Sequence, residues 1–218
     1  MPLAVLHATA RYAALEKPAG LLSVPGIGAA NQDSVASRVR AMFPEATGPI
    51  TVHRLDMETS GVILVALDAA AHRALSMQFE ARTVAKRYIA ILDGAVEGDA
   101  GVVTLRQRVD LDDRPRQILD DAHGKEAVTK WRVLDRSMAD DGRVRTRVEF
   151  EPVTGRSHQL RIASATPVER GGLGAPIIGD SLYGDATSAP RMLLHAAELA
   201  FDDPDTHVRV EVRSAPPF

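Results

Sequence analysis

An α+β fold is the class this sequence predicts, and three observations carry it. Three stretches alternate with period two: Thr129, Trp131 and Val133; Val144, Thr146, Val148 and Phe150; and Val208, Val210 and Val212. Each set opposes polar or charged residues on the other face, as in half-buried antiparallel strands with one wet side. Only two segments, near 34–42 and 69–81, carry a helical period. No strand–helix–strand period recurs, so strands outnumber helices without the alternation of a doubly wound sheet.

The remaining elements follow in chain order. Residues 11–24 read as two short strands broken at Pro18-Ala19-Gly20, where proline ends one strand and glycine permits the turn. Pro25 to Asn31, P-G-I-G-A-A-N, is a loop. Its glycines fall short of a phosphate-binding G-x-G-x-x-G because Asn31 holds the third position and no βαβ context surrounds it. Asp33 or Ser34 can cap a helix through about Met42 with Val35, Val39 and Met42 on one face; Pro44 and Gly48-Pro49 then break the chain. Val62 to Leu67 is a β-branched-rich apolar run between Gly61 and Asp68, a buried strand. Asp68 is a good N-cap for a helix from Ala69 to about Ala81 that turns Ala71, Leu75 and Phe79 to the core. Lys86 to Gly94 alternates Tyr88, Ala90 and Leu92 against Ile89 and Ile91, which suits a strand near the centre of a sheet. Residues 106–125 are charged and read as an irregular exposed arm or insertion.

Composition narrows the function classes. The chain has 218 residues, 45% hydrophobic and 25% charged, ordinary for a globular protein with one core or two subdomains. No apolar run approaches the ~20 residues that span a bilayer, and the N-terminus lacks the basic start of a secretory signal. A cytoplasmic protein, without membrane association, is expected. The absence of cysteine excludes disulfides, thiol nucleophiles and thiolate zinc sites. A net charge of −3 and a pI near 6.2 argue against a general nucleic-acid coating protein. They leave room for a local basic groove, because arginines cluster at 106–116 and 143–161.

Chemistry-bearing residues gather in four patches. His53 to Gly61, H-R-L-D-M-E-T-S-G, is a polar loop joined directly to the buried strand at 62–67. Functional groups favour loops held by rigid elements, so Asp56 is the first candidate, although a loop aspartate is by itself more often a turn or cap residue. Lys86-Arg87-Tyr88 is the second. Thr154 to Arg161, T-G-R-S-H-Q-L-R, is the third. Gly179 to Gly184, G-D-S-L-Y-G, followed by R-M-L-L-H-A from Arg191, is the fourth. His53, His158 and His195 lack metal-ligand spacing, so orientation or core roles suit them better. H-R-L-D shares letters with the kinase catalytic loop, but no asparagine or D-F-G follows in place.

Taken in this order, the four patches resemble the RluA family of pseudouridine synthases, whose motifs are H-R-L-D-x-x-T-S-G, K-x-Y, G-R-x-H-Q-[LI]-R and G-D-x-x-Y-G. The resemblance runs from K-P-A-G-L-L-S-V-P-G to L-L-H-A, nearly the whole chain. It implies one pseudouridine-synthase-like catalytic domain over residues 1–218, a mixed and mainly antiparallel sheet flanked by helices. It also implies that a target uridine in RNA is detached at N1, rotated and rejoined through C5, with no cofactor and no metal. Asp56 would be the nucleophile, Arg161 the cation that keeps it ionised, and Tyr88 a ring that stacks on the uracil and reaches the C5 proton. Arginine suits that task because its planar fork binds a carboxylate bidentately and stays charged. Arg54, two residues before Asp56, would contact the displaced base or fill the gap it leaves. His53, Thr59, Arg156, His158 and Leu194 are the further substrate-binding candidates within the motifs.

Two departures from the family pattern stand out. The segment between Arg161 and Gly179 is longer than usual, and Ala163 stands where histidine is common. The catalytic core begins almost at once, so an S4-like RNA-binding domain is not expected and this domain would hold RNA alone, as a monomer. The S-V-P-G, D-M-x-T-S-G-V-I and D-R-P-R-Q elements look closest to the branch without S4. That likeness implies stem-loop targets in the tRNA anticodon arm, in 23S rRNA, or both. The alternatives are another RNA- or nucleoside-modifying reaction at Asp56, and a catalytically silent RNA-binding protein that keeps the fold.

Overall fold

The computed structural model describes residues 2–218. In chain order its strands are β1 (Ala4–Ala8), β2 (Tyr12–Lys17), β3 (Ser60–Ala66), β4 (Ala85–Asp93), β5 (Ala100–Val109), β6 (Gln117–Leu119), β7 (Lys125–Met138), β8 (Val144–Pro152), β9 (Leu194–Asp202) and β10 (Arg209–Arg213). The α-helices are α1 (Val35–Met42), α2 (Ala69–Glu80) and α3 (Gln159–Ala165). Strand outweighs helix and the pairing is mostly antiparallel, the α+β arrangement the sequence predicts. The chain divides into two compact units. The first runs to Lys86 and resumes over His195–Phe218; the second is Arg87–Leu194.

In the first unit, β2 pairs antiparallel with both β1 and β3, and β10 pairs antiparallel with β9. β3 meets β9 in parallel at Ser60–His195 and Gly61–Ala196. That approach requires glycine at 61: its φ is +113°, and a Cβ there would stand 2.3 Å from the Ala196 carbonyl oxygen. β3 is buried along its whole length, as its unbroken apolar run requires. α2 buries Ala71 and Leu75, with Leu75 in a core shared with Tyr12, Leu64 and Phe201, and Asp68 caps it by accepting the Ala71 N–H at 2.8 Å. Ser34 caps α1 in a reciprocal box with Ser37. Of the two strands expected over 11–24, only Tyr12–Lys17 forms one. The residues beyond Gly20 make just an isolated bridge, Leu22 to Ser34, because proline and glycine end the ladder.

Two β3 amides are met by the segment leading into the H-R-L-D loop. Ala66 N–H donates to the Ile50 carbonyl at 2.8 Å, and Leu64 N–H donates to His53 Nε2 at 2.9 Å. The imidazole thus does the work of a missing strand carbonyl, and its ring stacks on Phe79 with centroids 4.5 Å apart. Accepting that bond requires an unprotonated Nε2. Burial, assisted by the Lys86 charge, pushes His53 down to about 3.

The second unit is an antiparallel run in which β8 lies between β4 and β7, and β5 lies between β7 and β6. Its core gathers Ala90, Leu92, Val148, Phe150, Leu160 and Ile177. The charged stretch over 106–125 is strand only in part: β5 continues to Val109, β6 returns over Gln117–Leu119 and β7 begins at Lys125, with an exposed arm left between β5 and β6. Charge hid the period there, because Arg106 and Arg108 alternate with the buried Leu105 and Gln107. Arg108 Nε spans the hairpin to Asp120 Oδ2 at 2.5 Å. α3 carries no amphipathic signal because Gln159 to Ser164 are all buried. The long segment after it is packed rather than loose. Leu173 and Ala175 donate their N–H groups to the Ala163 and Ser164 carbonyls at 2.9 Å each, and Leu173, Ala175 and Ile177 return to the core.

His53 supplies a pH test of this architecture. An unfolded imidazole takes a proton near 6.5 and the folded one near 3, so between those values the unfolded state binds more protons and stability rises with pH. Urea unfolding from pH 7 down to pH 5 is expected to show a loss to which His53 contributes a slope approaching about 1.4 kcal/mol per pH unit below the unfolded value. His53→Asn keeps an acceptor for Leu64 without titrating and should lose that part of the slope. Parallel slopes in the two proteins would show that Leu64 does not rely on a neutral imidazole.

Candidate active site

Asp56 sits on a loop whose backbone is fixed on both sides of it. Before it, the Ser23 hydroxyl donates to the Leu55 carbonyl at 2.7 Å and accepts the Leu55 N–H at 3.0 Å. After it, Thr59 N–H closes a turn onto the Asp56 carbonyl at 3.1 Å, and Gly20 N–H donates to the Met57 carbonyl at 2.8 Å. The strongest tie is Lys17, at the end of β2 and fully buried. Its ammonium donates to the carbonyls of Pro18 at 3.0 Å, Met57 at 2.9 Å and Thr59 at 2.7 Å. Burying a cation is costly unless its donors are used, and these three carbonyls match its three hydrogens.

The result is a rigid loop with a half-buried aspartate and an exposed Arg54 at its surface. Leu55, Thr59 and Ser60 are turned into the protein, and Ser60 Oγ bonds His195 Nδ1 at 2.8 Å. His195 Nε2 meets Ser214 Oγ at 2.9 Å, so this histidine is spent within the core. His53, bound to Leu64 and Phe79, likewise holds the loop's entry. Lys17 and Ser23 received no role from the sequence, although both lie in the K-P-A-G and S-V-P-G stretches that carry the resemblance. Nothing in the letters alone says that a lysine so close to a turn is buried.

The second unit holds the other candidates. Tyr88 lies on β4 opposite Phe150, half-buried at the margin of the core. Arg161 is carried by α3 and is 2% exposed. Its Nε and Nη2 grip the two oxygens of the fully buried Asp180 at 2.8 and 2.5 Å, a bidentate pair within this unit. Burial works against ionisation of Asp180, but the Arg161 hydrogen bonds and charge prevail and hold its carboxyl below the usual range. The sequence placed Asp180 in a patch without assigning it a partner.

Gln159 fixes the turn that leads into α3. Its Oε1 accepts from Thr154 Oγ1 at 2.7 Å and Arg156 N–H at 2.9 Å. Its Nε2 donates to the Val128 carbonyl at 2.9 Å and Thr129 Oγ1 at 3.0 Å. His158 adopts a left-handed φ of 55° and meets the Tyr183 hydroxyl through Nδ1 at 2.8 Å. Arg156 reaches the Glu126 carbonyl at 3.0 Å, and Leu194 is buried in the core cluster. The predicted residues therefore fall into two sets. His53, Arg54, Asp56 and Thr59 share one loop of the first unit; Tyr88, Arg156, His158, Arg161 and Leu194 belong to the second.

Comparison with known proteins agrees with the motif order. Residues 11–166 match the family described as RNA pseudouridylate synthase. The chain is 43% identical over 204 residues to the dual-specificity RNA pseudouridine synthase RluA of Yersinia pestis, covering 92% of this chain and 93% of that protein. It is 40% identical over 205 residues to the protein of the same name from Escherichia coli K12, covering 93% and 88%. Among solved structures, human RNA pseudouridylate synthase domain containing 1 superposes with a TM-score of 0.79 at 27% identity, over 99% of this chain and 84% of that one. By motif order, fold and sequence identity together, this chain belongs to the RNA pseudouridylate synthase family, isomerases that convert uridine to pseudouridine in RNA.

Proposed function

We propose that the chain isomerises uridine in a structured stem-loop, of the tRNA anticodon arm, of 23S rRNA, or of both, with Asp56 as nucleophile. The observation that carries this reading is the pinned loop. Backbone bonds at Leu55, Met57 and Thr59 fix the main chain around Asp56 while its side chain keeps partial access to solvent. A carboxylate so held meets a substrate without first ordering its own backbone, which is where much of a catalytic group's effectiveness lies. Kinship with enzymes named dual-specificity supports acceptance of more than one RNA. Recognition would rest on loop shape and on bases splayed from a single strand.

Each residue has a distinct task in this reading. Arg161, pre-oriented by Asp180 through Nε and Nη2, is the fixed cation this reading assigns to the reaction. Tyr88 stacks on the uracil and reaches the proton released from C5. Arg54, exposed beside the nucleophile, meets the displaced base or fills its place in the stack. His53 and Thr59 position the loop from below. Three first steps are open to Asp56: addition to C6 of the base, addition to C1′ of the sugar, or removal of the 2′ proton. In each, the N1 bond breaks, the base turns, a carbon–carbon bond forms at C5, and the C5 proton leaves. The alternative of a silent RNA binder is disfavoured by the presence of Asp56, Tyr88 and Arg161 at their motif positions.

Tritium release from RNA labelled at uridine C5 tests the assignment. Wild type should release tritium from a tRNA anticodon or 23S rRNA stem-loop transcript, and Asp56→Asn should release none. Release by the variant would remove Asp56 as nucleophile; binding without release by wild type would favour the silent binder. For Arg161, the Lys variant keeps a cation beside Asp180 but loses the fork. Its single-turnover rate at saturating protein should fall about 10²-fold, the scale of a misplaced catalytic group, with RNA affinity little changed. An undiminished rate would end the role given to Arg161.

A further inference from the structure

Between β5 and β6 the chain makes an arm, Asp110 to Arg116, whose tip is exposed and includes Leu111, 62% accessible, and Arg114. The base of this arm lands on one place. Arg116 donates through Nη1 to the Leu182 carbonyl, and Gln117 N–H donates to the Tyr183 hydroxyl at 2.7 Å. The Arg116 guanidinium also lies 5.5 Å from the centroid of the Tyr183 ring. Asp113 braces Arg116 from within the arm, Oδ2 to Nε at 2.9 Å.

The same tyrosine touches the catalytic arginine. The Arg161 guanidinium lies 5.4 Å from the centroid of the Tyr183 ring. Tyr183 N–H and Leu182 N–H donate to Asp180 Oδ1 at 3.0 and 2.9 Å, and this oxygen also takes Arg161 Nη2 at 2.5 Å. The arm and the Arg161 fork therefore share one residue: a shift of the arm base acts on the ring and backbone that orient the guanidinium. A cation over an aromatic face is worth about 0.5–2 kcal/mol, depending on desolvation, so the coupling is within reach of a loop rearrangement.

We propose that Tyr183 is a positioning residue that links the Asp110–Arg116 arm to Arg161, so that RNA engaging the arm sets the orientation of the catalytic guanidinium. The proposal rests on the role given to Arg161 above. It makes the arm a checkpoint for substrate: an RNA that presents its uridine to Asp56 but does not engage the arm is bound and reacts slowly. It also separates Arg116 from an ordinary phosphate contact, whose loss would weaken binding and leave the rate at saturation intact.

The test is single-turnover tritium release from a stem-loop transcript that wild type uses, at saturating protein, with affinity by filter binding and stability by thermal melting. Arg116→Ala should lower the saturated rate about tenfold with affinity within about threefold, a split diagnostic of lost transition-state alignment. Arg116→Lys, which keeps a cation for the ring, should recover part of the rate. Tyr183→Phe, which keeps the ring and loses the hydroxyl, should fall between. The double variant Arg116→Ala/Tyr183→Phe should lose less than the product of the single losses, because the two residues act through one contact. A weakened affinity with a full saturated rate would overturn the proposal in favour of a phosphate contact. A lowered melting temperature with a full saturated rate would reduce Tyr183 to packing, and fully additive losses would show that the arm acts independently of it. Arg161→Lys run alongside separates the two layers. A full rate in that variant removes the role of Arg161 itself; a slow Arg161→Lys beside a normal Arg116→Ala removes only the coupling.

Discussion

The ammonium of Lys17 is buried among three main-chain carbonyls, and the geometry around Asp56 depends on that contact. Two of those carbonyls belong to the turn that follows the aspartate and the third to the turn that follows β2, so one side chain joins two loops to the end of a central strand. Ser23 completes the arrangement at Leu55. The loop therefore has few ways to relax: displacing it would strip a buried cation of its acceptors, a cost of several kcal/mol for an unsatisfied ion. Rigidity that many sites draw from packed side chains comes here from a charge that cannot be left without acceptors.

The second unit solves a similar problem with an ion pair. Arg161, buried on α3, is made tolerable by Asp180, which takes two of its nitrogens. The carboxylate is itself braced by two main-chain amides. A pair of this kind contributes little net stability compared with apolar packing, and its retention is better understood as a way of fixing a planar group in one orientation. Gln159 extends the same logic to the turn before the helix, where every donor and acceptor of one amide is used.

How much of this was legible in the sequence follows from where the signal resides. β3, α1, α2, β4, β8 and β10 carry clean periods or caps, and the structure forms them close to where the pattern puts them. β5 was hidden because arginines alternate along it, and α3 because a helix buried on all sides has no polar face to mark its period. Asp56, Tyr88 and Arg161 stood out because four polar patches interrupt an apolar scaffold in a recognisable order. Lys17, Ser23 and Asp180 did not, since their importance lies in contacts to main-chain atoms or to residues far along the chain, and such contacts leave no local pattern. His53 was legible as a motif member, but its service to a strand amide could be seen only once the strand edge was in place.

The burial of Lys17 also gives the molecule an internal reporter. The sequence has only four lysines, at 17, 86, 125 and 130, and no cysteine to compete for electrophiles. A primary amine whose hydrogens are all engaged with carbonyls, in a residue with no accessible surface, is shielded from acylating reagents as long as the loop stays closed. Lys125 and Lys130, both exposed, are open to the same reagent throughout. The rate at which position 17 becomes acylated, measured against those two, is then a clock for how often the loop around Asp56 opens, read by mass alone and without any RNA present.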